Sequence, residues 1–334
     1  MPAAKTEITE IVTGLAMFGF RDLDTALASP PDRFANVSAD VWGRLQALHR
    51  ADEHRREFAA AWANGVAFLD ADEGLRSRPP LRVEWRGPSR PPGDDTVPAD
   101  LRIDHVYLVS CKYLSSVLAN ASPSRLFDHG LSERLSPSTD WYAEVASDQY
   151  QKLYDEVRRD VVGGDALPSR VADLTPVHRS LLKDGLRSGL GAEAAEAYGA
   201  LAVAVGEVSA ARWRAQLGGR RAQERMLWRL LRMAGAPYFV LGSSRKATLR
   251  LRVMTPWDWR QAYELRRFDV WGGREGQPRV EWRAVVRPRS GGEDRHVDGH
   301  VEVRWSHGRF GAPPEAKVYL DTAHPDVPGY VALR

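Results

Sequence analysis

Six lysines stand against 41 arginines in this chain, so a lysine that closes an apolar strand calls for a chemical explanation. Lys112 ends the run Val106-Tyr107-Leu108-Val109-Ser110-Cys111-Lys112, whose four leading apolar residues predict a strand covered on both faces. Alternation puts Ser110 and Lys112 on one face and Cys111 on the other. If the chain turns at Asp104-His105-Val106, Asp100 sits opposite Ser110 across a hairpin. Carboxylate, hydroxyl and ammonium then share one surface, a constellation able to bind and stabilise charge. Asp104 has the parity of Ser110 and Lys112 but joins them only if the backbone bends. Glu84, Asp95 and Glu57 are further acids that could complete the set. Each member also has a plain reading: Lys112 as a strand-end lysine reaching solvent, Asp100 as a turn residue, Cys111 as a small buried hydrophobe.

The elements that must position these residues follow from periodicity. Residues 1–40 mix a short helical piece with the turn-rich Ser29-Pro30-Pro31-Asp32. From Val41 to Leu69 the spacing of Val41, Leu45 and Leu48, then of Phe58, Trp62, Val66 and Leu69, predicts helix, with Asn64-Gly65 a possible interruption. Residues 81–87 alternate as a short strand, and a Pro/Gly/Asp loop from Pro88 to Pro98 leads into the Asp100–Tyr113 segment. After a Ser/Pro-rich loop (120–139), Val145, Gln149, Leu153, Val157 and Val161 recur at spacings of four, which predicts a helix over 141–162 packed on the sheet of Lys112. Residues 193–234 read as helical and 237–242 as a buried strand. Beyond Ala247 the pattern changes to strands at 247–254, 263–271, 279–287, 297–305 and 316–320, punctuated by Gly272-Gly273, Gly291-Gly292 and Asp298-Gly299. That stretch predicts an antiparallel meander or small barrel carrying Trp257, Trp259, Trp271, Trp282 and Trp305.

The order helix, strand, strand, strand, helix, strand over residues 41–242 resembles the PD-(D/E)xK, or restriction-endonuclease-like, nuclease superfamily. The resemblance implies an α/β fold with an α-β-β-β-α-β core, a helical insertion at about 165–235 and a separate β-rich domain over 247–334, with 1–40 as an extension. It implies that an acid (Asp100 first, then Asp104 or Glu84) holds Mg²⁺ or Mn²⁺, and that Lys112 stabilises developing charge or orients the attacking water. Ser110 stands where the family usually has Asp or Glu. Another acid, Glu84, Asp104 or Glu57, must then supply the missing charge, or the site is inactive. RecB-like members carry a glutamine and a tyrosine on the helix after the lysine strand. Asp148-Gln149-Tyr150-Gln151 is close to that pattern without its usual spacing, so Gln149 is a supporting residue; its plain reading is a polar residue on a helix surface.

A second acid-x-Lys triplet, Glu315-Ala316-Lys317, keeps the glutamate and follows Asp298. Only 17 residues follow Lys317, too few to complete the same fold. The pentapeptide Arg82–Arg86 recurs as Arg279–Arg283, a coincidence expected in an Arg-rich chain. His307 could be a general base but has no sequence-evident nucleophile partner. No G-x-G-x-x-G, P-loop or G-x-S-x-G motif occurs, which leaves organic cofactors without support.

The totals bound the rest. The 334 residues predict two domains or one elaborated one, and a net charge of +3 does not by itself announce a nucleic-acid binder. The single cysteine excludes an internal disulfide and a zinc site built on cysteines of this chain. No apolar run is long enough to span a bilayer, so the expected setting is the cytosol, away from membranes. Three functions follow as expectations: a DNA nuclease in defence, restriction or repair; an inactive nucleic-acid-binding or assembly subunit of a multi-component system; or a protein-interaction module.

Overall fold

The computed structural model describes residues 4–87, 97–113, 117–131, 140–243, 248–273 and 276–334. Asp95 lies outside them. Among the described residues the strands are β1 (Phe34–Ala35), β2 (Val83–Trp85), β3 (Leu101–Ile103), β4 (Tyr107–Tyr113), β5 (Val117–Ala121), β6 (Tyr238–Ser243), β7 (Thr248–Val253), β8 (Tyr263–Gly272), β9 (Arg279–Pro288), β10 (Arg295–Arg304), β11 (Glu315–Leu320) and β12 (Tyr330–Ala332). They form a mixed seven-stranded sheet, β1-β2-β3-β4-β6-β7-β12, and an antiparallel five-stranded sheet, β5-β11-β10-β9-β8. The protein is thus a mixed α/β chain with two sheets.

The chain divides into two compact units that do not follow the boundaries expected from sequence. The first comprises residues 1–116, 232–262 and 323–334; the second comprises 117–231 and 263–322. The anticipated 41–242 core is therefore shared between two units, and so is the anticipated 247–334 domain. Residues 237–254 show the reason. β7 pairs with β6 in the first sheet and β12 with β7, so backbone hydrogen bonding overrides the change of pattern near Ala247. Trp257 and Trp259 follow β7 on a helix, Pro256–Ala262, of this first unit, outside the meander.

In the first unit, β4 is the middle strand of seven. It is antiparallel to β3 and parallel to β6. One face of the sheet is packed by helices whose apolar stripes follow helical spacing. Ile8, Ile11, Val12 and Leu15 come from the successive segments Ala4–Glu7, Ile8–Val12 (a π-helical turn) and Thr13–Ala16. Phe58, Ala61 and Phe68 come from the Arg55–Asp70 helix. These residues close over Val83, Trp85, Leu101, Ile103, Val109, Cys111, Phe239 and Leu241 in one cluster. The segment expected as an N-terminal extension is thus part of the core.

Two local expectations change. The 41–69 helix breaks at Asp52 and His54, both at positive φ, giving helices Ala39–Arg50 and Arg55–Asp70. Asn64-Gly65 lies within the second and does not interrupt it. A Cβ added at Gly65 would strike the Thr13 carbonyl, so this glycine permits close helix approach. Val106 belongs to a turn and is 73% exposed, outside the apolar run it was expected to start. Asp104 and His105 both take the positive φ that tight hairpin turns require, and the Val106 N–H donates to the Ile103 carbonyl at 3.0 Å.

In the second unit, the meander β8 to β11 has β5 added at its edge. The Ala192–Gln216 helix buries Leu201, Val205 and Trp213 and packs on β8 and β9. The helix expected over 141–162 is split at Ala146 into Trp141–Val145 and Ser147–Asp160. It belongs to this unit and packs on the Ala192–Gln216 helix, which corrects its expected place on the sheet of Lys112.

Candidate active site

The hairpin of β3 and β4 pairs Leu101 with Val109, and one residue earlier the Asp100 N–H donates to the Val109 carbonyl at 2.8 Å. The buried Asp100 carboxylate therefore meets the strand beside Ser110. Its Oδ2 accepts from Ser110 Oγ at 3.2 Å and from the Cys111 N–H at 2.7 Å. Ser110 is fully buried, and Lys112, next but one along β4, is partly exposed. Asp100, Ser110 and Lys112 are thus brought to one end of the central strand.

A further acid enters from the helical side. Glu10 sits in the π-helical turn Ile8–Val12, and its Oε2 accepts from the Trp85 indole N–H at 2.6 Å. Trp85 pairs with Leu101, the neighbour of Asp100. Burial pushes the Cys111 thiol well above its ordinary range, the Asp100 and Glu10 carboxylates raise it further, and Lys112 opposes them. Of these groups Asp100 touches Cys111 directly, through the backbone N–H at 2.7 Å. The expectation that residues 1–40 form an extension leaves Glu10 out of the candidate set. The available signal was the stripe Ile8, Ile11, Val12, Leu15, which marks a core-facing helix and places its acids near the sheet. π-Helical turns are also frequent at functional sites.

The remaining acids are engaged elsewhere. Glu84, expected as a metal ligand, is held by Arg102, by Arg82 at 3.2 Å and by His105 at 3.6 Å. The Arg102 hydrogen bond keeps its carboxyl below the usual glutamate range. A carboxylate so occupied by guanidinium is a poor ligand for a second cation. Asp104 caps the hairpin turn: its Oδ1 accepts from the Leu81 and Arg82 N–H groups at 2.7 and 2.9 Å, and its Oδ2 pairs with Arg78 at 3.5 Å. It lies about 17 Å along β4 from Lys112 at the usual strand rise, which removes it from the site. Glu57 is bound by Lys5 at 2.7 Å, at the start of its helix. Gln149 is half-buried on the Ser147–Asp160 helix of the second unit, so its expected place beside the Lys112 strand is corrected with that of its helix.

The alternative triplet lies on the polar face of the five-stranded sheet. Asp298 is gripped by Arg283 at 2.6 and 3.3 Å. Glu315 accepts from Ser306 and Asn120 at 2.5 and 3.1 Å, and Lys317 stands 3.9 Å from it. His307 is an exposed loop residue 3.6 Å from Glu315. On the same face the ligand atoms of Glu281, His300 and Asp321 fall within 4.8 Å of one another. Arg279 already pairs with Glu281 at 2.6 Å and Asp321 at 3.7 Å, so a cation is built into that group. The two copies of Arg-Val-Glu-Trp-Arg behave alike. Val and Trp are buried, and the Glu is paired to the Arg two residues before it.

No family model matches this chain, and no curated protein or solved structure matches it either. The function rests on the geometry of the site alone.

Proposed function

We propose that this protein is a divalent-metal-dependent nuclease acting on DNA phosphodiester bonds, with Asp100, Glu10 and Lys112 as its working groups and a restriction-endonuclease-like core as its scaffold. The observation that carries the reading is Asp100 set against Ser110, two residues before Lys112; Glu10, held by Trp85 on the helix-packed face that also carries Cys111, is the acid we assign as the second carboxylate. The antiparallel run β2-β3-β4, followed by β6 parallel to β4, supports the same scaffold. Hard carboxylate oxygens suit Mg²⁺ or Mn²⁺, and Mg²⁺ commonly needs only one or two carboxylates because it keeps several waters. Asp100 and Glu10 would hold the ion, which would polarise the phosphate and lower the pKa of a bound water. Ser110 and the Cys111 N–H fix the Asp100 carboxylate in place. The Lys112 ammonium binds a phosphate oxygen and offsets charge as it develops there.

The test is cleavage of linear and supercoiled DNA with Mg²⁺ or Mn²⁺. Lys112→Ala is expected to lower the rate by about 10²–10³, the usual effect of removing a transition-state charge contact. Asp100→Asn and Glu10→Gln should cost as much and weaken metal dependence. Wild-type cleavage that survives Lys112→Ala unchanged would overturn the reading. One observation favours a second one: Asp100 Oδ2 already accepts two hydrogen bonds, as a purely structural carboxylate would. On that reading the chain is an inactive nuclease-like subunit, which binds DNA in a salt-sensitive way without cutting it.

A further inference from the structure

The second unit contains a cavity of about 320 Å³ whose lining includes Lys183, Arg187, Arg304 and Arg309 together with the aromatic rings of Tyr198 and Trp305. Among the described residues no carboxylate lines it. Two of its cations are paired, Arg187 with Asp184 at 2.7 Å and Arg304 with Glu302 at 3.2 Å. Lys183 and Arg309 form no ion pair among the described residues. Unpaired cations gathered at one concavity repel one another, and an anion entering it relieves that repulsion.

The walls are built to hold a shape. Trp305 packs edge-on to Tyr142 at 4.9 Å and against Phe310 at 4.8 Å. Tyr198 lies nearly parallel to Trp305 at 6.3 Å. The Tyr198 hydroxyl donates to Gln277 Oε1 at 2.6 Å, and burial raises its pKa to about 12, so it remains a neutral donor. Gln277 keeps its own amide hydrogens as donors. Gly308 stands at φ +93°, where an added Cβ would come within 2.8 Å of Lys183 Cγ. The loop thus accommodates the lysine stem only because residue 308 is glycine. The Trp305 indole N–H is buried without a hydrogen-bond partner, while the ring forms part of the cavity lining.

We infer that this cavity binds a nucleotide, either free or as the phosphorylated end of a nucleic-acid strand. Lys183 and Arg309 take the phosphate through charge-assisted hydrogen bonds. Tyr198, Trp305 and Leu186 bound the space for the base, whose flat face suits aromatic walls. The volume is at the lower end for small-molecule sites, which suits one nucleotide unit. The inference is independent of the proposed nuclease site and concerns residues of the second unit only.

Isothermal titration of the full chain tests it with four probes: adenosine diphosphate, inorganic phosphate, and a short DNA oligonucleotide with either a 5′-phosphate or a 5′-hydroxyl. The diphosphate should bind more tightly than inorganic phosphate. Lys183→Ala and Arg309→Ala should each weaken it by about ten-fold or more, the scale of a lost charge-assisted contact, while Arg309→Lys retains most of the affinity. Lys183 is exposed and Arg309 half-buried, and circular dichroism should show both variants folded. Preference for the 5′-phosphorylated strand over its hydroxyl twin assigns the pocket to strand ends. Equal affinity for the two strands, with the diphosphate still bound, assigns it to free nucleotides. Failure of all four probes to bind would overturn the assignment. So would binding indifferent to both alanine variants, or a diphosphate that binds no better than phosphate.

Discussion

Cys111 shows how much environment decides at the scale of one residue. Its thiol is buried, and both neighbouring carboxylates disfavour the thiolate, which is the reactive form. A disulfide-exchange reagent at mildly alkaline pH is expected to leave the native protein unlabelled and to titrate one thiol after denaturation; rapid native labelling would contradict the burial. Ser110 is equally constrained. A glutamate there would match the acid-x-Lys pattern, but it would put a longer charged group into a fully buried position facing Asp100, and loss of stability is the expected outcome. Glu84 gives the pH dependence. Its folded pKa lies below its ordinary value of 4.5 because of Arg102. The ionised pair therefore contributes stability above that value, and the contribution is lost as pH falls through the lower folded pKa. Thermal melts from pH 6 downward should show wild type losing stability more steeply below about pH 4.5 than Glu84→Gln does. Parallel curves for the two would show that the pair contributes nothing.

At the scale of elements, the sign of a glycine substitution reports helix packing. Gly65 and Gly43 both sit in helices. Nothing lies within 4 Å of a Cβ added at Gly43, whereas one at Gly65 meets the Thr13 carbonyl and Ala16. Gly43→Ala should stabilise by about 0.5–1 kcal/mol through helix propensity. Gly65→Ala should instead destabilise by about 1–3 kcal/mol through overpacking. Denaturant melts measure both, and two stabilised variants would show that the Arg55–Asp70 helix does not approach Thr13 as described. That approach bears on the proposed function, because the Thr13 segment continues the turn that carries Glu10.

For the whole molecule, the first unit is assembled from three separated stretches of chain. Its last stretch supplies β12, the Pro328 carbonyl that accepts from the Trp259 indole at 3.0 Å, and the Arg334 carbonyl that accepts from the Asp72 N–H at 2.6 Å. Removing residues 323–334 should therefore reduce amide-exchange protection in β6 and β7 while sparing β8 to β11. Protection lost only in β8 to β11 would mean that the tail belongs to the meander instead.

Most of the strands were legible in the sequence, but β1, β5 and β12, short and without a marked apolar alternation, were not. The apolar run into Lys112, the turn residues Asp104-His105 and the Gly-punctuated segments after Tyr263 are local patterns, and local sterics and hydrogen bonding determine them. Asp100 opposite Ser110 was legible for the same reason, since a hairpin places partners only a few residues apart. Partnership between distant segments was not. Nothing in residues 248–253 or 330–332 distinguishes a strand that joins β6 from one that joins β8, because edge pairing depends on backbone groups that every sequence carries. Glu84 and Asp298 read as free acids until the fold set arginines against them. Glu10 read as an acid of a peripheral helix until packing of Ile8, Ile11 and Leu15 carried it to the sheet. Side-chain type and local spacing come from the sequence; which charges meet is decided by long-range burial of apolar surface, and only the tertiary structure expresses it.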